Sequence, residues 1–227
     1  MITFNVYDRV FQVKWHGTTG TAFTTDLDGR QYLISARHVF KGLAQSATIE
    51  VYRNSQWEGI DVELVGVPEG NVDVIVLSPS CVLSPPHPLP LTKGDVALSQ
   101  DVHFVGFPFG LHSNAKAVDG MLHIPLVKRA CLSGYLEDGK HRLWLLDGFN
   151  NPGFSGGPVI RSDIKSIGSN LAVFGIISAY HFYEEPVFDG AEKTDLRVQA
   201  NTGIIYAYSA AVALDLISAN PSGIPVG

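Results

Sequence analysis

The stretch "NPGFSGGPVI", residues 151–160, sets one serine among three glycines and two prolines. A serine hydroxyl becomes a good nucleophile only when a general base lies within hydrogen-bonding reach and an acid orients that base. Glycine-rich backbone can aim N–H groups at the oxyanion that forms in acyl transfer. Since such a turn is also common as a simple loop, the stretch indicates nucleophilic chemistry only if partners occur elsewhere in the chain.

Composition narrows the classes of protein. Of 227 residues, 45% are hydrophobic and 17% are charged, which favours one or two folded domains over disorder. The net charge of −6 does not favour a nucleic-acid partner. The longest mostly apolar run, 171–180, is too short to span a bilayer. The amino terminus lacks the pattern of a signal peptide, and neither Cys81 nor Cys131 belongs to a dense cysteine framework. We therefore expect a cytoplasmic protein with reduced thiols, with one disulfide as the open alternative.

Short β-rich runs separated by Gly, Asp, Asn or Pro recur along the chain and predict an all-β barrel or sandwich. The proline-rich segment 84–95 predicts a boundary between two β units. "DLDGRQY" predicts a hairpin turn through Asp28 and Gly29. One helix is expected over 208–221, with Ser209 able to cap it and Asn220-Pro221 ending it.

Two residues are candidate partners for Ser155. His38 follows a buried-looking strand, so its backbone is held rigidly while the imidazole can still reach a cleft. Asp73 lies in "NVDVIVLS", where an aspartate is costly to bury unless it is paired, and an imidazole would satisfy it. The other candidates for the acid are Asp61, Asp95, Asp101 and Asp147.

These segments together resemble a known family. "ISARHVF", "VDVIVL" and "GFSGGP" occur in the order His, Asp, Ser and resemble the signature segments of chymotrypsin/trypsin-like serine proteases. "HFVGFPFGL", "FGIISAY" and "TGIIYAYSAAVALDLI" resemble segments of HtrA/DegP-like bacterial protease domains. The resemblance implies two six-stranded antiparallel β-barrels with a carboxy-terminal helix, over 1–88, 89–207 and 208–227.

The same resemblance implies a role for each site residue. Ser155 would attack the scissile carbonyl, His38 would transfer its proton, and Asp73 would orient the imidazole. The backbone N–H groups of Gly153 and Ser155 would form the oxyanion hole, and the Ser178 backbone would pair with the substrate. A polypeptide is the implied substrate, and neither a cofactor nor a metal ion is implied.

Three departures from the family pattern refine the expectation. Phe154 stands where digestive enzymes carry an activating aspartate, so we expect no zymogen switch of that kind. Phe149 and Tyr180 offer the primary pocket no charge and predict cleavage after small or medium apolar residues. The chain leaves no room for the PDZ domain that HtrA-like proteases usually carry.

Other function classes stay open at this point. The main alternative is a catalytically silent member of the fold that binds a peptide or partner in its cleft. A metal hydrolase is less favoured because no HExxH or Cys/His ligand spacing occurs among the eight histidines and two cysteines. No nucleic-acid or membrane partner is expected, and the sequence does not indicate an oligomeric state.

Overall fold

A computed structural model describes residues 2–87, 89–94, 96–117, 120–162 and 171–227. Its α-helices are α1 (Phe4–Tyr7), a single turn near the amino terminus, and α2 (Ala211–Ala219), a longer helix near the carboxy terminus. The strands are β1 (Val10–Trp15), β2 (Thr18–Leu27), β3 (Arg30–Ser35), β4 (Ser46–Arg53), β5 (Gln56–Gly66), β6 (Ile75–Pro79), β7 (Asp101–Gly106), β8 (His112–Ala117), β9 (Gly120–Asp138), β10 (His141–Asp147), β11 (Pro158–Ser162), β12 (Leu171–Asp189), β13 (Glu192–Ser209) and β14 (Ile224–Pro225).

The first sheet closes into a six-stranded antiparallel barrel. Its order is β3-β2-β1-β4-β5-β6, and β3 pairs back onto β6, with Leu33 opposite Leu77. Alternating side chains point inward, which gives a core with buried Val13, Ile49 and Val62. The hairpin between β2 and β3 turns through two residues of positive φ, Asp28 at 50° and Gly29 at 70°, as predicted from the sequence.

The second sheet closes in the same way. Its order is β10-β13-β12-β11-β7-β9, and β9 pairs back onto β10, while β8 extends the sheet as a hairpin with β9. Its core holds Phe104, Leu132, Phe154 and Phe174, each at most 1% exposed. Two six-stranded antiparallel barrels and a carboxy-terminal helix confirm the predicted fold class.

The segment between the sheets is extended and attached to the second barrel. Leu91 forms an isolated bridge with Val173, while the N–H of Val173 donates to the Pro90 carbonyl and the N–H of Thr92 donates to the Val173 carbonyl. The predicted proline-rich boundary therefore lies where the chain passes from one barrel to the other. The division into units ending at 88 and 207 stays a prediction.

The carboxy-terminal helix is shorter than expected. It begins at Ala211 because β13 runs through Ser209, whose hydroxyl oxygen accepts the Ala211 N–H at 3.3 Å. After the helix the chain returns to the first barrel, where the Asn220 amide donates to the Val65 carbonyl and β14 pairs with β3. The last residues thus pack on the first barrel, not on the second.

Both cysteines, Cys81 and Cys131, carry free thiols. Within the part of the chain that the structure describes, no helix is long and apolar enough to cross a membrane.

Candidate active site

The first barrel places His38 at its rim. β3 is buried from Gln31 to Ser35, and a short 3-10 turn, Arg37–Phe40, then brings the imidazole to the surface. Val39 and Phe40 are at most 2% exposed and anchor the turn, whereas the His38 side chain is 48% exposed. The histidine is therefore fixed by its neighbours and still open to solvent.

Asp73 binds His38 through both carboxylate oxygens. Oδ1 accepts the His38 backbone N–H at 2.8 Å, and Oδ2 lies 2.7 Å from the imidazole Nδ1. Buried Val72 and Val74 hold the aspartate from both sides. Burial alone would raise the pKa of Asp73, but the hydrogen bonds and charge of His38, with the hydroxyl of Ser178, outweigh it and lower that pKa. The aspartate is thus kept ionised beside the imidazole.

The other candidate acids lie elsewhere. Asp61 accepts the hydroxyl of Thr48 on the first barrel, and Asp101 forms an exposed ion pair with Arg129. Asp147 is the last residue of β10, and Asp95 lies outside the described residues. Geometry therefore selects Asp73.

Ser178 connects the aspartate to Ser155. Its hydroxyl donates to Asp73 Oδ2 at 2.5 Å, and its carbonyl accepts the Ser155 hydroxyl at 3.2 Å. Ser178 is 7% exposed, so both bonds form within a nearly closed layer. Between Ser155 and the His38 imidazole, two described residues, the structure records no hydrogen bond. Such bonds are often long in a free enzyme and tighten when substrate binds.

The turn around Ser155 is locked between the barrels. The Ser155 carbonyl accepts the Thr21 N–H of β2 at 2.8 Å, and the Gly156 N–H donates to the Ile177 carbonyl of β12 at 2.7 Å. Gly156 has a φ of +85°, and a Cβ there would lie 2.1 Å from the Thr21 carbonyl oxygen. A Cβ on Gly157 would lie 2.3 Å from the Val105 carbonyl oxygen. Only glycine fits either position, so these glycines are required by close packing.

The peptide that precedes Gly153 is oriented by a hydrogen bond. The preceding carbonyl, of Pro152, accepts the Phe109 N–H at 2.8 Å. Because the C=O and N–H of a trans peptide point in opposite directions, the Gly153 N–H faces away from Phe109. Across the described ranges, neither this N–H nor that of Ser155 donates to a backbone carbonyl. Both donors are thus available for an oxyanion.

Thr21 is a site residue that the sequence did not reveal. Its hydroxyl donates to the Gly153 carbonyl at 2.6 Å and accepts the Phe107 N–H at 3.1 Å. Its own carbonyl accepts the Ser35 hydroxyl at 2.7 Å, and the residue is fully buried. One threonine of the first barrel therefore fixes the loop carried by the second. The stretch "GTTGTAF" gives no signal that separates it from the neighbouring threonines.

The residues predicted to shape the primary pocket lie beside this loop. Phe149 is 54% exposed, and Tyr180 is half-buried on β12, opposite Ile205 of β13. Within the described residues neither is joined to His38, Asp73 or Ser155 by a hydrogen bond. Two asparagines that the sequence did not reveal connect this loop to β12 and β13. Asn150, 2% exposed, donates to the Ala179 carbonyl, and Asn201 donates to the Asn150 carbonyl.

Comparison with known proteins agrees with this geometry. The family model of the trypsin-like peptidase domain matches residues 19–168, a range that includes His38, Asp73 and Ser155. The chain belongs to this family. It is therefore a trypsin-like serine protease, and its substrates are polypeptides. No curated protein matches the chain.

Several solved protease structures share the fold. The Rv3671c protease of M. tuberculosis in its active form is 18% identical, with a TM-score of 0.62 over 98% of this chain and 85% of that chain. HtrA-type protease AlgW, solved with a tripeptide, is 22% identical with a TM-score of 0.60, over 95% of this chain. The serine endoprotease from Yersinia pestis is 19% identical with a TM-score of 0.58, over 96% and 66% of the two chains. The trypsin-like chain spans 61% of AlgW's length, and likeness at these identities shows the fold alone.

Proposed function

We propose that the trypsin-like chain is an active endopeptidase that uses Ser155, His38 and Asp73 as its triad. The observation that carries the assignment is the continuous set of hydrogen bonds from His38 to Asp73, to Ser178 and to Ser155. A histidine with a purely structural role would not need an ionised aspartate beside it. Here Asp73 is ionised, and Ser178 bonds both this aspartate and Ser155.

The bonding pattern supports one distribution of protons. Asp73 is ionised and accepts a hydrogen bond from the protonated Nδ1 of His38, which leaves Nε2 unprotonated and able to act as the base. Ser155 Oγ gives its proton to Nε2 as it attacks the scissile carbonyl, and a tetrahedral intermediate forms. Nε2 then passes the proton to the leaving amine, the C–N bond breaks, and an acyl-enzyme remains. Water repeats the sequence with His38 as base, which releases the acid and restores the serine.

The negative oxygen of each intermediate is stabilised by the N–H groups of Gly153 and Ser155. Removing one such donor typically costs about 3–4 kcal/mol of transition-state stabilisation. Support for an assembled hole comes from the Pro152 carbonyl, which accepts the Phe109 N–H, so that the Gly153 N–H of the same peptide points in the opposite direction. On that basis the loop is competent before substrate arrives.

For specificity, we propose cleavage after small or medium apolar residues. Phe149 and Tyr180 bring no charge to the wall beside Ser178, so an arginine or lysine side chain would find no counter-charge from them. Action in the cytoplasm stays a prediction from the sequence.

A direct test combines labelling with cleavage. A fluorophosphonate probe should label the wild-type protein and leave Ser155→Ala unlabelled. A proteome-derived peptide library should be cleaved by wild type alone, mostly after small or medium apolar residues. Cuts only after Arg or Lys would refute the specificity, while absence of labelling and cleavage with a folded protein would favour a silent, peptide-binding member of the fold.

A further inference from the structure

Phe154 leaves open what holds the oxyanion loop in place. Its ring is fully buried and meets Phe104 edge to face, with the centroids 4.8 Å apart. A phenyl ring in an apolar core cannot form an ion pair with a newly formed amino terminus. The loop 149–154 is held instead by other groups of the same chain. Thr21 bonds its Gly153 end, and Pro152 and Asn150 have the partners described above. The Phe149 carbonyl and the Asn151 side chain remain to be accounted for.

Lys128 of β9 reaches the other end of the loop. Its ammonium donates to the Phe149 carbonyl and, at 2.8 Å, to the side-chain oxygen of Asn151. The Asn151 backbone carbonyl in turn accepts the Phe154 N–H at 3.3 Å. The Lys128 cation thus bonds Phe149 and Asn151, which precede Gly153 in the chain. Asn151 in turn bonds Phe154, the residue after Gly153.

Aromatic rings complete the surroundings of the ammonium. Lys128 Nζ lies 5.4 Å from the centroid of Phe149 and 5.8 Å from that of Phe154, within the range of cation–π attraction. A neutral lysine amine would lose this attraction and the strength of its hydrogen bonds. The arrangement therefore depends on the charge, and not only on the length, of the side chain.

Charged neighbours do not account for this placement. The loop 149–154 carries no ionisable side chain. On the same strand, Arg129 is exposed and pairs with Asp101 of β7, and His103 of β7 lies opposite Arg129. Partial burial lowers the pKa of Lys128 below that of an exposed lysine. Holding this ammonium against neutral acceptors has a cost that a surface lysine avoids.

We propose that Lys128 is the positioning residue for the oxyanion loop and supplies, from within the chain, the cation that fixes residues 149–151. The inference rests on the proposed function, because it assigns the residue a role in the same acyl-transfer site. Lys128 does not touch the reacting atoms. It acts through Phe149 and Asn151 on the peptide of Gly153.

The proposal predicts a dependence on pH with a definite sign. The folded enzyme loses the Lys128 proton at a lower pH than an exposed lysine would. Activity should therefore fall on the alkaline side as the ammonium is neutralised. Arginine keeps its charge to about pH 12 and also donates hydrogen bonds, so Lys128→Arg should move that fall upward. Lys128→Met keeps the apolar stem and should lack this alkaline limb altogether.

The experiment compares wild type, Lys128→Met, Lys128→Arg and Arg129→Met. Arg129→Met is the matched control, since it removes a cation from the neighbouring position of the same strand, where the side chain faces solvent. Fluorophosphonate labelling rates, kcat and KM are measured from about pH 7 to about pH 11, which brackets the ordinary lysine pKa. Urea unfolding of each variant monitors stability.

We expect labelling and kcat of Lys128→Met to fall at least about tenfold near pH 7, with KM and unfolding nearly unchanged, since a misplaced oxyanion hole acts on the transition state. Lys128→Arg should recover most of the rate and Arg129→Met should match wild type. If Lys128→Met and wild type have equal rates and equal alkaline limbs, this inference is overturned while the proposed function stands. The same holds if Lys128→Met loses rate and stability together and Lys128→Arg does not recover the rate. A wild type that is neither labelled nor active would instead overturn the proposed function and the inference with it.

Discussion

Replacing Thr21 with valine removes one hydroxyl from between the barrels and keeps the shape of the side chain. In the wild type that hydroxyl donates to the Gly153 carbonyl at 2.6 Å and accepts the Phe107 N–H at 3.1 Å. Valine can do neither. Both backbone groups would then be left without this partner in a site where Thr21 itself is fully buried.

The magnitude follows from these contacts. A buried polar group without a partner costs about 1–3 kcal/mol, so the two groups together should lower the free energy of unfolding by about 2–6 kcal/mol. A methyl group also cannot remain 2.6 Å from the Gly153 oxygen, where contact distances near 3.5 Å are normal, so the loop must move by close to 1 Å. A displacement of about 1 Å in a catalytic group can cost about 10²-fold in rate.

The assay pairs urea unfolding with kcat on a peptide substrate. Thr21→Val should lose both stability and about 10²-fold in kcat, while Thr21→Ser, which keeps the hydroxyl, should stay within about tenfold. The control is Thr25→Val, which removes another buried hydroxyl, one that donates to the Leu89 carbonyl away from the site. It should lose stability but not kcat. If Thr21→Val unfolds and turns over like wild type, Thr21 does not hold the loop.

Three further perturbations test the surrounding structure. Ser178→Ala removes a hydrogen bond that lowers the pKa of Asp73. The stability contributed by this carboxylate is present above its ordinary pKa and is lost as the pH falls through the lowered pKa. Acid unfolding of the variant should therefore begin at a higher pH than that of wild type. Gly156→Ala, with a Cβ 2.1 Å from a carbonyl oxygen, should lose about 2–4 kcal/mol in urea unfolding, whereas Gly190→Ala, where nothing lies within 4 Å, should lose about 1 kcal/mol from its positive φ alone. Equal losses would contradict the packing argument. Burial and the Asp138 carboxylate raise the pKa of Tyr208, so the stability from this phenol is present below its ordinary pKa and is lost as the pH rises through the raised pKa. In Tyr208→Phe, the free energy of unfolding should therefore depend less on pH in the alkaline range. An unchanged alkaline profile would show that Tyr208 does not contribute in this way.

Local patterns could be read from the sequence, and contacts between distant residues could not. The Asp28-Gly29 turn follows from the left-handed preference of two adjacent residues. The pairing of His38 with Asp73 was indicated by an aspartate in an apolar stretch and a histidine after a strand, and the family resemblance selected this aspartate among five candidates. Thr21 and Lys128 gave no such signal, because each becomes special only when the barrels bring residues from over 130 and over 20 positions away against it.

Strand register also explains why the association of two histidines could not be predicted from the sequence. The rings of His112 and His123 lie 4.8 Å apart and share contact with Tyr52 of the first barrel. One is on β8 and the other on β9, and only the register of that hairpin brings them together. Spacing along the chain predicts strand and helix faces, but it does not specify register between strands.

Thr21 and Lys128 hold the two ends of one loop by different physical means, and this difference predicts how activity and stability are related. The Thr21 hydroxyl satisfies two backbone groups in the interior, so its loss should reduce stability and rate together. The Lys128 ammonium is held in a partly buried place that lowers its pKa, so its protonated form adds little to stability. Its loss should reduce rate and leave unfolding nearly unchanged. With Phe154 packed in the core, both holding groups belong to the folded chain itself, so we expect the loop to be set when the barrels close, without cleavage of the chain.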